Sequence, residues 1–181
     1  MEVQENIYIK IRKSLKEELR HMAIPQTGAS VIVTNDKNEI LLLKKSNGNK
    51  WVIPGGVQEL GEDFKKVALR ELEEETKIKL TEDDLTLIDI VTGESRHKTY
   101  PNGDEVYNNS VLFLASNINI NKIDISALDY QDNGDGNYTL EQESTDYGWF
   151  KKENLPDKAT IHDYDLLESY FNYLEKIQIH S

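Results

Sequence analysis

Short apolar runs dominate the chain, and helical spacing replaces them at its beginning, middle and end. Ser30-Val31-Ile32-Val33-Thr34 and Glu39-Ile40-Leu41-Leu42-Leu43 read as two strands. Asn35-Asp36-Lys37-Asn38 between them is turn chemistry, so the pair predicts a hairpin. Ser46-Asn47-Gly48-Asn49 predicts a loop, and the apolar run Trp51-Val52-Ile53 stops at Pro54-Gly55-Gly56. Leu85 to Val91, Val106 to Ala115 and Tyr147 to Phe150 predict further strands, the last closed by Leu155-Pro156. Residues 129–137, rich in Asp, Asn and Gly, predict a loop.

Residues 63–76 predict a helix. So do residues from about 162 to 177, where Leu166, Leu167, Tyr170, Phe171, Leu174 and Ile177 share one face. Residues 7–22 carry Ile7, Ile11, Leu15, Leu19 and Met22 at helical steps, although Tyr8-Ile9-Lys10-Ile11 also permits a short strand. Pro25 and Gly28 break that pattern. The order predicts an α/β (α+β) fold with a mixed sheet between helices. A length of 181 residues, with no internal repeat, suits one domain over residues 28–181. Residues 1–27 are then an N-terminal extension, packed on the domain or on a second subunit.

There is no cysteine, which excludes disulfides, Cys-ligated zinc and a Cys nucleophile. Lys and Arg number 21 against 33 Asp and Glu, a formal net charge of −12. That field repels nucleic acid, so no nucleic-acid partner is expected. It does not exclude an anionic small molecule, because bound divalent ions reverse the local sign. Met1-Glu2-Val3-Gln4-Glu5 lacks the pattern of a signal peptide. No apolar run approaches the roughly 20 residues of a membrane span. A cytoplasmic protein with no membrane partner is the expectation.

The chemistry concentrates between Gly56 and Ile78. On a helix, Glu71 lies three and four residues from Glu74 and Glu75, so the three carboxylates share a side. Like charges so close cost stability unless compensated, and Mg²⁺ favours carboxylate and water oxygens. Arg70, four residues before Glu74, is placed to hold a carboxylate. Val67, Ala68 and Leu72 form an apolar stripe to dock the helix. Pro54-Gly55-Gly56 lets backbone come close to a ligand. A Glu-rich helix alone is ordinarily a solvated face; the spacing carries the argument here.

Gly56, Glu62, Arg70, Glu71, Leu72, Glu74, Glu75 and Ile78 match the order and spacing of the Nudix box, G-x5-E-x7-R-E-U-x-E-E-x-G-U, where U is bulky and aliphatic. The sequence therefore resembles the Nudix hydrolases, the MutT-like family, over roughly residues 28–156. Trp51 to Gly56 and Trp149-Phe150 with Leu155-Pro156 resemble the family's flanks. Lys77 departs from the box, where the family has Gly. It must adopt a left-handed conformation or end the helix differently.

The resemblance implies an α/β/α sandwich and a metal-dependent hydrolase. Such enzymes cleave the diphosphate linkage of a nucleoside diphosphate joined to another group. The implied cofactor is Mg²⁺ or Mn²⁺. Carried over, Glu71, Glu74 and Glu75 with the Gly56 carbonyl are the metal ligands, with Glu71 alternatively the general base. Glu62 and Arg70 position the carboxylates. Family members differ in the base, and Glu141 or Glu143, just before the late strand, is an alternative.

Tyr100, Asp104 and Glu143 are candidate substrate-binding residues, the first two in a long segment that also reads as a plain Pro-Asn-Gly turn. Asp129 to Glu141 superficially resembles a calcium loop but offers no Glu at its last ligand position. His21, His97, His162 and His180 share no metal-ligand spacing, and His97 alone lies where it could meet substrate. The partner expected is a small nucleotide-like molecule, with a homodimer suggested by the two terminal helices. A Nudix-fold sensor without turnover is the alternative, disfavoured by the intact glutamates. Isoprenyl diphosphate isomerisation is disfavoured because it needs an active-site Cys, and RNA cap removal is disfavoured by the acidic balance.

Overall fold

The computed structural model describes all residues except 1–6, 17–18, 20, 47, 101–102, 121, 133–137 and 180–181. Its elements are helix α1 (Ile7–Ser14), strands β1 (Ile24–Val33), β2 (Ile40–Lys45), β3 (Trp51–Val52) and β4 (Gly55–Val57), then helix α2 (Phe64–Thr76). Strands β5 (Thr86–Val91), β6 (His97–Thr99), β7 (Glu105–Ala115), β8 (Leu128–Asp132), β9 (Tyr138–Gln142) and β10 (Ser144–Phe150) follow, and helix α3 (Tyr164–Ile179) closes the chain.

One mixed sheet runs β4-β1-β7-β5, with β6 also on β7. β1 and β7 are parallel, from Ile24 opposite Val106 to Val33 opposite Ala115, and the other pairs are antiparallel. A second sheet runs β10-β2-β3. The expected hairpin between Val33 and Ile40 is therefore only a single bridge, Thr34 to Ile40, beyond which the strands part into different sheets. Turn chemistry specifies the reversal, but the partners of each strand are chosen by long-range pairing.

Burial alternates along these strands between two cores. Ala29, Val31, Val33, Leu41, Leu43, Val111, Phe113 and Ala115 pack with Val67, Ala68 and Leu72 of α2. Ile32, Ile40, Leu42, Leu112 and Leu114 pack with Leu166, Leu167, Tyr170 and Phe171 of α3. This is the sandwich expected, and it explains why the strands are continuous apolar runs: both of their faces are covered.

The structure revises three boundaries. Of the expected loop 129–137, the part up to Asp132 is a strand, Leu128–Asp132 pairing antiparallel with Tyr138–Gln142, and residues 133–137 lie outside the described residues. The last helix lies at Tyr164–Ile179, two residues later than expected. The first helix is Ile7–Ser14, shorter than the 7–22 pattern, and β1 already begins at Ile24. Ile11, Leu19 and Met22 of that pattern are exposed. Polar ties fasten the segment instead. Arg12 is buried, donates to the Met22 carbonyl at 3.0 Å, and lies 3.4 Å from Asp104. The Thr27 N–H donates to the Tyr8 hydroxyl at 3.0 Å.

Candidate active site

Helix α2 carries the site. Asp63 caps its start, accepting from the Lys66 N–H at 3.0 Å. Lys77 ends it in the left-handed conformation, φ 60° and ψ 13°, with its N–H returned to the Glu73 carbonyl at 2.9 Å. The departure from the box is thus absorbed by strain at one residue, and the helix keeps the family's ending.

Val67, Ala68 and Leu72 bury the helix in the first core, and Glu75 lies on the same buried side. Glu71 is largely covered as well, whereas the Glu74 side chain is 54% exposed. The carboxylates are held by two cations. Arg70 donates to both oxygens of Glu62, at 2.7 and 2.9 Å, to Glu71 at 2.8 Å and to Glu74 at 3.2 Å. It also donates to the Val57 carbonyl at 2.9 Å, tying the helix to β4. Glu62 additionally accepts the Glu59 N–H at 3.0 Å. Lys45, at the end of β2, donates to Glu75 Oε1 at 2.6 Å and to Glu143. The other Glu75 oxygen accepts the Gly55 N–H at 3.0 Å.

Glycine makes the close approach possible. A β-carbon on Gly56 would lie 2.3 to 2.5 Å from the Glu71 carboxyl atoms. β4 is itself set by pairing with β1, Gly56 opposite Ala29.

The electrostatics follow from burial. Burial pushes the Glu71 carboxyl up to about 7, against the pull of Arg70. Burial likewise raises Glu75, opposed by Lys45 and reinforced by Glu143 and Glu71. The Arg70 hydrogen bond lowers Glu62 below the ordinary carboxylate range. Burial works against the charges on Lys45 and Arg70, but their acidic partners outweigh it and both stay firmly protonated.

The structure thus brings Glu62, Arg70, Glu71, Glu74, Glu75, Gly56 and Glu143 into one cluster. It does not bring Asp104 there. Asp104 is buried against Arg12 and against His21, whose Nδ1 is 2.8 Å away. The register sets Asp104 beyond the Ile24 end of β1 while Gly56 faces Ala29, roughly 20 Å apart along the strand. Tyr100 stands in the same turn, its N–H bonded to the Asp104 carbonyl at 2.8 Å. His97 lies against Glu105 and the Tyr107 ring, and His162 against Lys98. His180 lies outside the described residues.

Lys45 was not among the expected residues. The signal was present: Leu41 and Leu43 face α2, and two-residue alternation puts Lys45 on that same face.

Hard oxygen donors suit Mg²⁺ or Mn²⁺, and buried carboxylates outnumber the cations beside them. Even so, among the described residues no three acidic or histidine groups already converge to hold one ion. Arg70 and Lys45 occupy oxygens of Glu71, Glu74 and Glu75. The donor chemistry fits a metal, and an ion taking those oxygens would displace these side chains.

The NUDIX domain model matches residues 24–170. The chain belongs to that family. It is 38% identical over 74 residues to an m7GpppN-mRNA hydrolase, NUDT17, of Xenopus laevis, a match that covers 38% of this chain and 25% of that protein. A MutT NUDIX hydrolase from Burkholderia pseudomallei superposes with TM-score 0.56 at 24% identity, over 81% of this chain and 98% of that one. The NUDIX domain of Shewanella oneidensis NrtR, solved with ADP ribose, gives TM-score 0.56 at 17% identity, over 91% and 97%. The two structures share this Nudix fold. The stretch matched in the curated relative spans a quarter of that protein.

Proposed function

We propose that this Nudix chain is a metal-dependent hydrolase of a nucleoside diphosphate linked to a second group, such as ADP-ribose, a nucleotide sugar or a nucleoside triphosphate. The single observation that supports the reading is the buried Glu75 and largely covered Glu71 beside Gly56 and Glu143, with Glu74 open to solvent at its edge.

Glu74, Glu75 and Glu71, with the Gly56 carbonyl, are the groups that would hold Mg²⁺ or Mn²⁺. Such ions, when bound, polarise phosphoryl oxygens and acidify water. Glu71 is alternatively the proton acceptor; in the metal-free protein burial raises its carboxyl to about 7. Glu143, from outside the box, joins the cluster through Lys45 and is the second candidate for that role beside Glu141. Glu62 and Arg70 position: Arg70 clamps Glu62 with two bonds and steadies Glu71 and Glu74 with others. Tyr100 and Asp104 keep a more distant part, as a turn that contacts the second moiety of a long substrate.

The acidic balance favours a small anionic substrate over RNA. Among the described residues no helix is long and apolar enough to cross a membrane, which accords with a cytoplasmic enzyme. The exposed Leu19 and Met22 before β1 and Ile177 and Ile179 of α3 are where a homodimer would meet.

The test is a panel of ADP-ribose, nucleotide sugars, dinucleoside polyphosphates, capped RNA and normal and oxidised nucleoside triphosphates, incubated with Mg²⁺ or Mn²⁺ and read by product mass. Cleavage of one diphosphate class that stops with EDTA is expected. Tight binding of a panel member with no product would replace the hydrolase by a ligand sensor.

A further inference from the structure

Lys45 joins the cluster although it was not among the expected residues, and its position is forced from two sides. Along β2, Leu41 and Leu43 point into the α2 core, so Lys45 points at α2 and meets Glu75. Across the sheet, β10 begins with Ser144 opposite Lys45, which delivers the preceding Glu143 to the same ammonium. The Ser46 N–H fixes the Glu143 carbonyl at 3.0 Å, so the register is pinned at this point. The Glu75 side chain is 1% exposed, and both its oxygens are engaged, one by Lys45 and one by the Gly55 N–H.

We propose that Lys45 is a tethered cation that competes with a divalent metal ion for Glu75 and Glu143, and so sets how weakly the free protein binds metal. The inference rests on the hydrolase reading, which makes Glu75 a metal ligand. A divalent ion approaching Glu75 meets an ammonium already at that carboxylate, and like charges at this range repel strongly in a covered site. The flexible four-carbon stem lets the ammonium withdraw, whereas a guanidinium fork would be slower to yield. The same ammonium offsets the repulsion between Glu75 and Glu143 when no ion is bound. Lys45 is thus a positioning residue acting through these carboxylates, not a group acting on the reacting atoms.

The test is Mg²⁺ binding to the full chain without substrate, by calorimetry at pH 8.5, in the wild type, Lys45→Met and Lys45→Arg. Lys45→Met is expected to bind Mg²⁺ at least about tenfold more tightly than wild type, while Lys45→Arg, which keeps the charge, gains nothing. Lys45→Met stripped with EDTA is expected to melt below stripped wild type, and saturating Mg²⁺ to close the gap. Should Lys45→Met not fold, Lys45→Gln takes its place with the same expectations. Affinity unchanged or weaker in the neutral variant, with wild type binding Mg²⁺ through Glu75, overturns the proposal and leaves the hydrolase reading intact. Wild type and the neutral variant that both bind no Mg²⁺, and behave like Glu75→Gln, overturn both.

Discussion

The Glu71 carboxyl lies directly against the α-carbon of Gly56, where a β-carbon would stand 2.3 Å from its Cδ. One methyl group at position 56 therefore displaces the buried acid or pushes β4 away from α2. Overpacking of this kind costs about 1–3 kcal/mol. Gly56→Ala is expected to retain its circular dichroism spectrum and lose at least roughly tenfold in kcat on whichever panel substrate is cleaved. Wild-type kcat in that variant would mean that the Glu71 position does not matter to turnover.

Glu74 is the exposed member of the set, held only at its edge by Arg70. Replacing it should leave packing alone. Glu74→Gln is expected to melt within a degree or two of wild type, an effect of about 0.5 kcal/mol or less, yet to abolish metal-dependent turnover. Thermal melts and the product assay, run on the same preparation, check both halves.

Glu71 also imposes a pH dependence on stability. Its folded-state pKa is about 7, above its ordinary value of 4.5, because burial favours the neutral acid. Between those values the folded chain holds a proton that the unfolded chain has released. Stability from this group is present below pH 4.5 and is lost as pH rises through about 7, by roughly 3 kcal/mol in all. Urea unfolding in EDTA at pH 5 and pH 8 measures it. Glu71→Gln is expected to show a smaller loss over that interval, and saturating Mg²⁺ to offset the loss in wild type.

Lys77 pays for the helix ending with a left-handed backbone at φ 60°. An L-residue there costs roughly 1–2 kcal/mol, part of which glycine returns through its freer unfolded chain. Lys77→Gly is expected to stabilise the protein by about 0.5–1 kcal/mol with activity unchanged. Its lost bond from Lys77 Nζ to the Glu74 carbonyl is exposed and contributes little. Comparing urea midpoints decides the sign.

Much of the site was legible because it lies on one helix. Spacing alone sets Arg70 within reach of Glu74 and puts Glu71 and Glu75 on neighbouring turns. Asp63 as a cap and Lys77 as an awkward stop are equally local features. Glu62 was legible only through the resemblance, since nothing local says that the chain between Glu62 and Arg70 folds back to make a bidentate pair. Asp104 shows the opposite limit: its place in a polar loop said nothing of its partners, Arg12 and His21, which come from a segment far away in sequence. The hairpin between β1 and β2 failed for a similar reason. Asn35 to Asn38 do turn the chain, with the Asn35 side-chain oxygen accepting the Lys37 and Glu39 N–H groups at 3.0 Å. A turn does not choose the partners of the strands it joins.

By itself, the sequence determined the periodic elements, the two-faced apolar strands and the order of acids along α2, because each depends on contacts within a few residues. Tertiary structure decided which acids are buried, since burial depends on β4 lying under Glu71 and β2 lying under Glu75. It alone put Lys45 and Glu143 together across β2 and β10, 98 positions apart in the chain. Charges so far separated in sequence interact only once the sheet register is set, and that register depends on burying both faces of the sheet at once.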